Sequence, residues 1–146
     1  FEDEVFAHNH PGGSLGKKML TTIGDLMHTG DQVPIVYENS DLSVIISEMT
    51  QKRLGVTLIT NKKKQLKGII TDGDLRRMIE DKKDISKIRA LDLSKNFPKW
   101  LEHNNLATKA VQLMEKHTIT SLVVSPNGKK IDGIIHLHDL LKAGII

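Results

Sequence analysis

Apolar positions follow two periods along this chain, and the switch between them happens twice. Leu42, Ile45, Ile46 and Met49 fall three or four residues apart, the spacing of one helical face, with Ser40 or Asp41 as an N-cap before them. Ala107, Ala110, Val111 and Met114 draw the same stripe later. Each stripe is followed by a β-branched run, residues 56–60 and then 121–125, which reads as a strand. A polar turn comes next, "NKKK" in one case and "PNGK" in the other. A second strand over residues 66–71 or 131–136 then leads into a short helix from Asp74 or Asp139. An extended piece, "VPIVY" (33–37), precedes the first set.

The two sets superimpose without a gap when the chain is slid by 65 positions. Lys64/Lys129, Gly68/Gly133, Ile69/Ile134, Ile70/Ile135, Asp74/Asp139 and Leu75/Leu140 are then identical pairs. Met49 pairs with Met114 upstream, and "DLM" (25–27) matches "DLS" (92–94) at a nearby offset. The chain is therefore expected to be α+β, with one repeat over residues 21–84 and another over 85–146, each running β-α-β-β-α. One unit of this size is marginal alone, because a small core buries too little surface. The two are expected to pack face to face, with pseudo-twofold symmetry, around a shared core.

Composition narrows the function classes. The chain has 146 residues and no cysteine, which excludes disulfides, thiol catalysis and cysteine-rich zinc sites and fits a reducing compartment. No apolar run is long enough for a membrane span, and the opening Phe1-Glu2-Asp3-Glu4 is acidic where a signal peptide is basic. The cytoplasm is the expected location. The first residue is Phe, so the chain is expected to be a fragment of something longer. A net charge of +3 suits a small anionic ligand better than a nucleic-acid track. Aromatics are only 3%, too few for a base-stacking surface.

Candidate chemistry concentrates in "GIITDGDL". Thr71 ends a strand and Asp74 opens a helix three residues later. A helix N-terminus exposes unpaired N–H groups that favour anions. The Thr71 hydroxyl and those amides can meet a phosphate, while the Asp74 carboxylate can accept hydrogen bonds from sugar hydroxyls. Capping of the helix by Asp72 or Asp74 is the plainer reading of the same word. In the second copy His136 stands in place of Thr71, and Asp139 is kept. Histidine can donate to a phosphate, and it titrates near neutral pH. "HLHD" (136–139) offers two imidazoles but no convincing third metal ligand. "DGDLRRMIEDKKD" starts like a calcium loop and fails at Arg77 and Lys83. No nucleophile–base pair stands out.

Two ordered copies of this word, with "DLMHTGDQVPIV", "GVTLITNKKKQLKGIITDGDL" and "SLVVSPNGKKIDGIIHLHDL" around them, resemble a tandem CBS-domain (Bateman) pair. That resemblance implies a regulatory module in which the Ser/Thr-x-x-Asp word contacts the phosphate and ribose of a nucleotide. It assigns such contacts to Thr71 and Asp74; the second copy, with His136 in place of Thr71 and Asp139 kept, departs from the word, so the first half ranks ahead of it as a binding site. Gly55, Val56 and Thr57 become candidates for the base pocket, with Ser121 and Leu122 as their counterparts.

"HPGGSLG" near the start narrows the resemblance to the C-terminal half of the SIS–CBS sugar-phosphate isomerases, the arabinose 5-phosphate isomerase family. Residues 1–20 would then be a tail from an absent sugar isomerase (SIS) domain. His10 would be an active-site residue of the whole enzyme, which interconverts ribulose 5-phosphate and arabinose 5-phosphate on the way to Kdo and lipopolysaccharide. This chain alone would not turn substrate over. No cofactor is implied, and CMP, CMP-Kdo or an adenine nucleotide are candidate effectors. The partners implied are the SIS domain and further copies of the chain, a dimer of pairs within a tetrameric parent; neither nucleic acid nor membrane is expected. A ligand-free oligomerisation element is the alternative.

Overall fold

The computed structural model describes residues 16, 18–81 and 84–146. The N-terminal segment, His10 included, lies outside the described residues. In the first repeat, strand β1 (Ile35–Tyr37) leads to helix α2 (Leu42–Lys52), strands β2 (Val56–Thr60) and β3 (Leu66–Thr71), and helix α3 (Asp72–Glu80). A short helix α1 (Ile23–Leu26) precedes this set. The second repeat has a short helix α4 (Ala90–Leu93), strand β4 (Trp100–Leu101), helix α5 (Ala107–His117), strands β5 (Ser121–Val124) and β6 (Gly133–His136), and helix α6 (Leu137–Lys142). The β-α-β-β-α order expected of each repeat is present. Helices α1 and α4 and the two-residue β4 are too short to show a periodicity.

Each repeat folds its strands into a three-stranded sheet, β1-β2-β3 and β4-β5-β6, with a parallel first pair and an antiparallel second pair. The register itself repeats at 65 residues. Ile35 lies beside Leu58 as Trp100 lies beside Val123, and Val56 faces Thr71 as Ser121 faces His136. The first hairpin differs by a bulge, because Thr60 pairs with Leu66 after Ile59 pairs with Gly68. One extra residue in one strand produces this kind of local twist. All five residues of β2 and all four of β5 are buried, so both faces of each central strand are covered.

Three apolar clusters hold the molecule together. One is built around Ile45, Met49, Ile59, Ile70 and Met78 of the first repeat. Another is built around Ala110, Met114, Leu122, Ile135 and Leu140 of the second. The third is shared: Val33, Val56, Leu58 and Leu66 meet Val123 and Ile134, which is the common core that face-to-face packing requires. Burying a side chain such as Leu58, with none of its surface exposed, contributes roughly 1.5–3 kcal/mol. A backbone bond from the Leu66 N–H to the Lys129 carbonyl (2.7 Å) ties the two hairpins directly.

The cores do not follow the chain order. Ile23, which precedes the first sheet, belongs to the core of the second repeat. Ile88, Ala90 and Leu93, which precede the second sheet, belong to the core of the first. The crossing is fixed by backbone bonds: Ile23 N–H to the Asn105 carbonyl (2.9 Å), Ala107 N–H to the Thr21 carbonyl (2.8 Å), and a two-bond bridge between His28 and Ile134 (2.8 and 3.1 Å). The opposite crossing uses Ala90 N–H to the Ser40 carbonyl (2.9 Å).

Candidate functional site

Four helices start in the same way, and each start carries an Asp-Leu pair. The Asp25 carboxylate accepts the Thr22 N–H (2.9 Å), Asp74 the Thr71 N–H (2.8 Å), Asp92 the Arg89 N–H (2.9 Å) and Asp139 the His136 N–H (2.8 Å). In each case a carboxylate at the third helical position reaches back to the residue before the helix, which is half of a capping box. At α3 the box is complete, since the Thr71 hydroxyl accepts the Asp74 N–H (3.2 Å) and itself donates to the Asp74 carboxylate (3.0 Å). The helices therefore begin at Asp72 and Leu137, two residues earlier than expected from Asp74 and Asp139. The caps are Thr71 and His136, because the reaching carboxylates belong inside the first turn.

These junctions converge on one cleft of about 450 Å³, lined by Arg53, Leu54, Gly55, Val56, Thr71, Asp72, Gly73, Thr120, His136 and His138. Three pairs in that lining are equivalent across the two repeats: Gly55 and Thr120, Thr71 and His136, Gly73 and His138. The cleft therefore lies on the pseudo-twofold axis. A smaller lobe of about 380 Å³ continues into the first repeat beside Ile46, Met49, Thr50 and Leu75, sharing Arg53, Gly55 and Asp72.

The side chains around the cleft differ between halves. Arg53 closes α2 in the left-handed conformation (φ 61°), where Thr118 closes α5 likewise (φ 54°). A side-chain-bearing residue in that region is held against a local preference for glycine. Among the described residues the Arg53 guanidinium has no ion-pair or hydrogen-bond partner. Gly55 also has a positive φ (71°), and a Cβ there would stand 3.2 Å from the Asp72 carboxylate. On the other side, His136 Nδ1 accepts the His138 N–H (3.0 Å), and the two rings stack obliquely with centroids 4.5 Å apart. Burial lowers the His136 pKa; His138 and His28 lower it further, against the opposing pull of Asp139.

Of the residues singled out in the sequence, Gly55, Val56, Thr71 and His136 line the cleft. Asp74 and Asp139 stand directly behind it, each holding a helix start. The second Asp74 oxygen binds Arg77 (2.6 Å), and that of Asp139 binds His28 (2.9 Å). Thr57 is fully buried, with its hydroxyl donating to the Leu58 carbonyl (3.3 Å). Ser121 and Leu122 are buried in β5. Arg53, Asp72, Thr120 and His138 belong to the site without having been singled out for it. The first two could have been found from the repeat, since they flank Gly55 and Thr71; the way they face Thr120 and His138 depends on docking of the two repeats. Among the described residues no group of three or more His, Asp or Glu is placed to hold a metal ion, and no helix is long and apolar enough to cross a membrane.

Comparison with known proteins gives this architecture a family. The chain is 40% identical over its full 146 residues to arabinose 5-phosphate isomerase KdsD of Yersinia pestis, and it spans 44% of that protein's length. The matched portion is the C-terminal part. Among solved structures, CBSX2 in complex with AMP covers 86% of this chain and 96% of its own, with a TM-score of 0.73 at 20% identity. The CBS domain protein PAE2072 of Pyrobaculum aerophilum, complexed with AMP, covers 86% and 99%, with a TM-score of 0.72 at 18% identity. The sequence profile of the CBS domain matches residues 23–81 and 92–145. With both repeats matched and the fold shared, the chain belongs to the CBS-domain family.

Proposed function

We propose that this chain is the regulatory nucleotide-binding module of an arabinose 5-phosphate isomerase, and that its effector binds in the cleft on the pseudo-twofold axis. Arg53 carries this reading. It is a cation without a partner among the described residues, held at a costly backbone angle at the mouth of a cleft. Strained residues persist where function needs them. A phosphate beside Arg53 would also meet the Gly73 N–H at the start of α3, which has no acceptor among the described residues, and the Thr71 hydroxyl once it turns its proton from Asp74. The sugar hydroxyls would reach Asp74 once Arg77, whose side chain is 50% exposed, swings out. The base would occupy the lobe beside Ile46, Met49 and Leu75. The effector would be CMP, CMP-Kdo or an adenine nucleotide, and it would bias the isomerisation of ribulose 5-phosphate to arabinose 5-phosphate for Kdo and lipopolysaccharide synthesis. His10 would serve in the catalytic domain of that longer protein.

The test is a thermal-shift series with CMP, CMP-Kdo, AMP and ATP. A ligand at 100 times its Kd adds about 2.7 kcal/mol, which raises the melting temperature by several degrees in a chain of this size. Arg53→Gly separates binding from folding. Glycine relieves the left-handed angle, so stability should rise by about 1 kcal/mol while the ligand shift disappears. A wild-type protein that ignores all four nucleotides at millimolar concentration would sink the proposal.

The alternative, a ligand-free oligomerisation element, has its own support in large apolar side chains left in solvent on the helices: Val44 (47% exposed), Ile46 (46%), Ile79 (65%) and Leu141 (49%). Light scattering distinguishes the two. An oligomer abolished by Ile79→Asp, in a protein with no nucleotide response, favours the alternative.

A further inference from the structure

We infer that His28 closes the second half of the cleft, so that the pair binds a single nucleotide, on the first-repeat side. The inference rests on the nucleotide reading above. By backbone geometry the two halves are equivalent, since strand register, left-handed caps and helix starts all repeat at 65 residues. Each half also offers a carboxylate behind its junction, Asp74 or Asp139. What covers those two carboxylates differs.

Asp74 is covered from within its own helix by Arg77, three residues on. That guanidinium sits on a long side chain that is 50% exposed, so a competing hydroxyl can displace it into water, although the carboxylate it covers is only 10% exposed. Asp139 is covered from another part of the chain, 111 residues away. His28 Nε2 lies 2.9 Å from the carboxylate, the other ring nitrogen is 3.2 Å from the Gln32 side-chain oxygen, and the two side chains of the pair are only 27% and 16% exposed. His28 is held where Arg77 is not: both its ring nitrogens are engaged, its short side chain is largely covered, and its backbone is bridged to Ile134. Its carbonyl lies so close over Gly133 that a Cβ there would collide with it.

The first repeat lacks this cover. The segment that crosses over its hairpin, 92–94, touches Gly68 through the Ser94 side chain, and the Ser94 hydroxyl accepts the Ile69 N–H (3.2 Å). The residue in the place of His28 is then Lys95, which is exposed and has no ion pair among the described residues.

Isothermal titration with AMP and with CMP tests this on the wild-type chain, His28→Ala and His28→Lys. The lysine variant gives the second half the residue that the first half carries, and keeps the backbone bridge if the alanine variant folds poorly. The expected result is one ligand per wild-type chain, with amide NMR shifts centred on Thr71 and Gly73, and two per variant chain, with new shifts at Leu137 and His138. Two ligands per wild-type chain, or one per folded variant, would overturn the inference and leave nucleotide binding standing. No binding to any of the three proteins overturns the nucleotide reading, and this inference with it.

Discussion

His136 does two jobs that conflict on protonation. Its Nδ1 accepts the His138 N–H and so caps α6. An imidazolium has no lone pair for that bond. Burial also disfavours the charged ring, followed by repulsion from His138 and His28, and Asp139 only partly offsets this. The folded pKa therefore lies below the ordinary histidine value of 6.5. The unfolded chain binds the proton first, so this contribution to stability is complete above about pH 6.5 and is lost as pH falls through the folded value. Urea midpoints measured from pH 8 down to pH 5 should decline. His136→Asn keeps a capping oxygen without titrating, and the wild-type-minus-variant difference should shrink towards acid. A constant difference would show that His136 does not titrate with folding.

At the scale of elements, the crossing segments press on two hairpin glycines in different ways. A Cβ on Gly68 would collide with the Ser94 side chain, and one on Gly133 with the His28 backbone carbonyl. Overpacking of this kind typically costs about 1–3 kcal/mol. Gly133→Ala is expected at or beyond the upper end, because a bridged backbone cannot yield. Gly68→Ala should be milder, and the added change Ser94→Gly should recover most of the loss. Denaturation of the two single variants and the double variant checks this, and equal losses at both glycines would contradict it. The "G-I-I" word was visible in the sequence at both places, but its reason was not. The glycine makes room for a segment passing over it from a distant part of the chain, which no local pattern records.

For the whole molecule, exchange of the crossing segments means that the sequence repeat is not the folding unit. A piece covering residues 29–95 carries the entire first core, including Ile88, Ala90 and Leu93, whereas residues 21–84 lack those three and keep an orphaned Ile23. Circular dichroism should find more native helix in the 29–95 piece, although the shorter repeat matches the family profile as well. Both should be less stable than the full chain, in which the shared cluster of Leu58, Val123 and their neighbours is covered. If 21–84 is the better folded of the two, segment exchange contributes little to stability.

Taken by itself, the sequence determined the repeat, its 65-residue period, the order of strands and helices, and the two strand-to-helix junctions where chemistry gathers. Those follow from side-chain periodicity and turn chemistry, which act over a few residues. Helix starts were misplaced by two residues because a carboxylate that reaches backwards looks, in one dimension, like the first residue of its helix. Tertiary structure decided that Gly55, Thr71 and Gly73 face Thr120, His136 and His138 across one axis, and that Arg53, with no partner among the described residues, stands at its mouth. It also decided that Asp139, the counterpart of Asp74 in the repeat, is held by His28. These are contacts between residues far apart in sequence, set by the docking of one buried sheet against another.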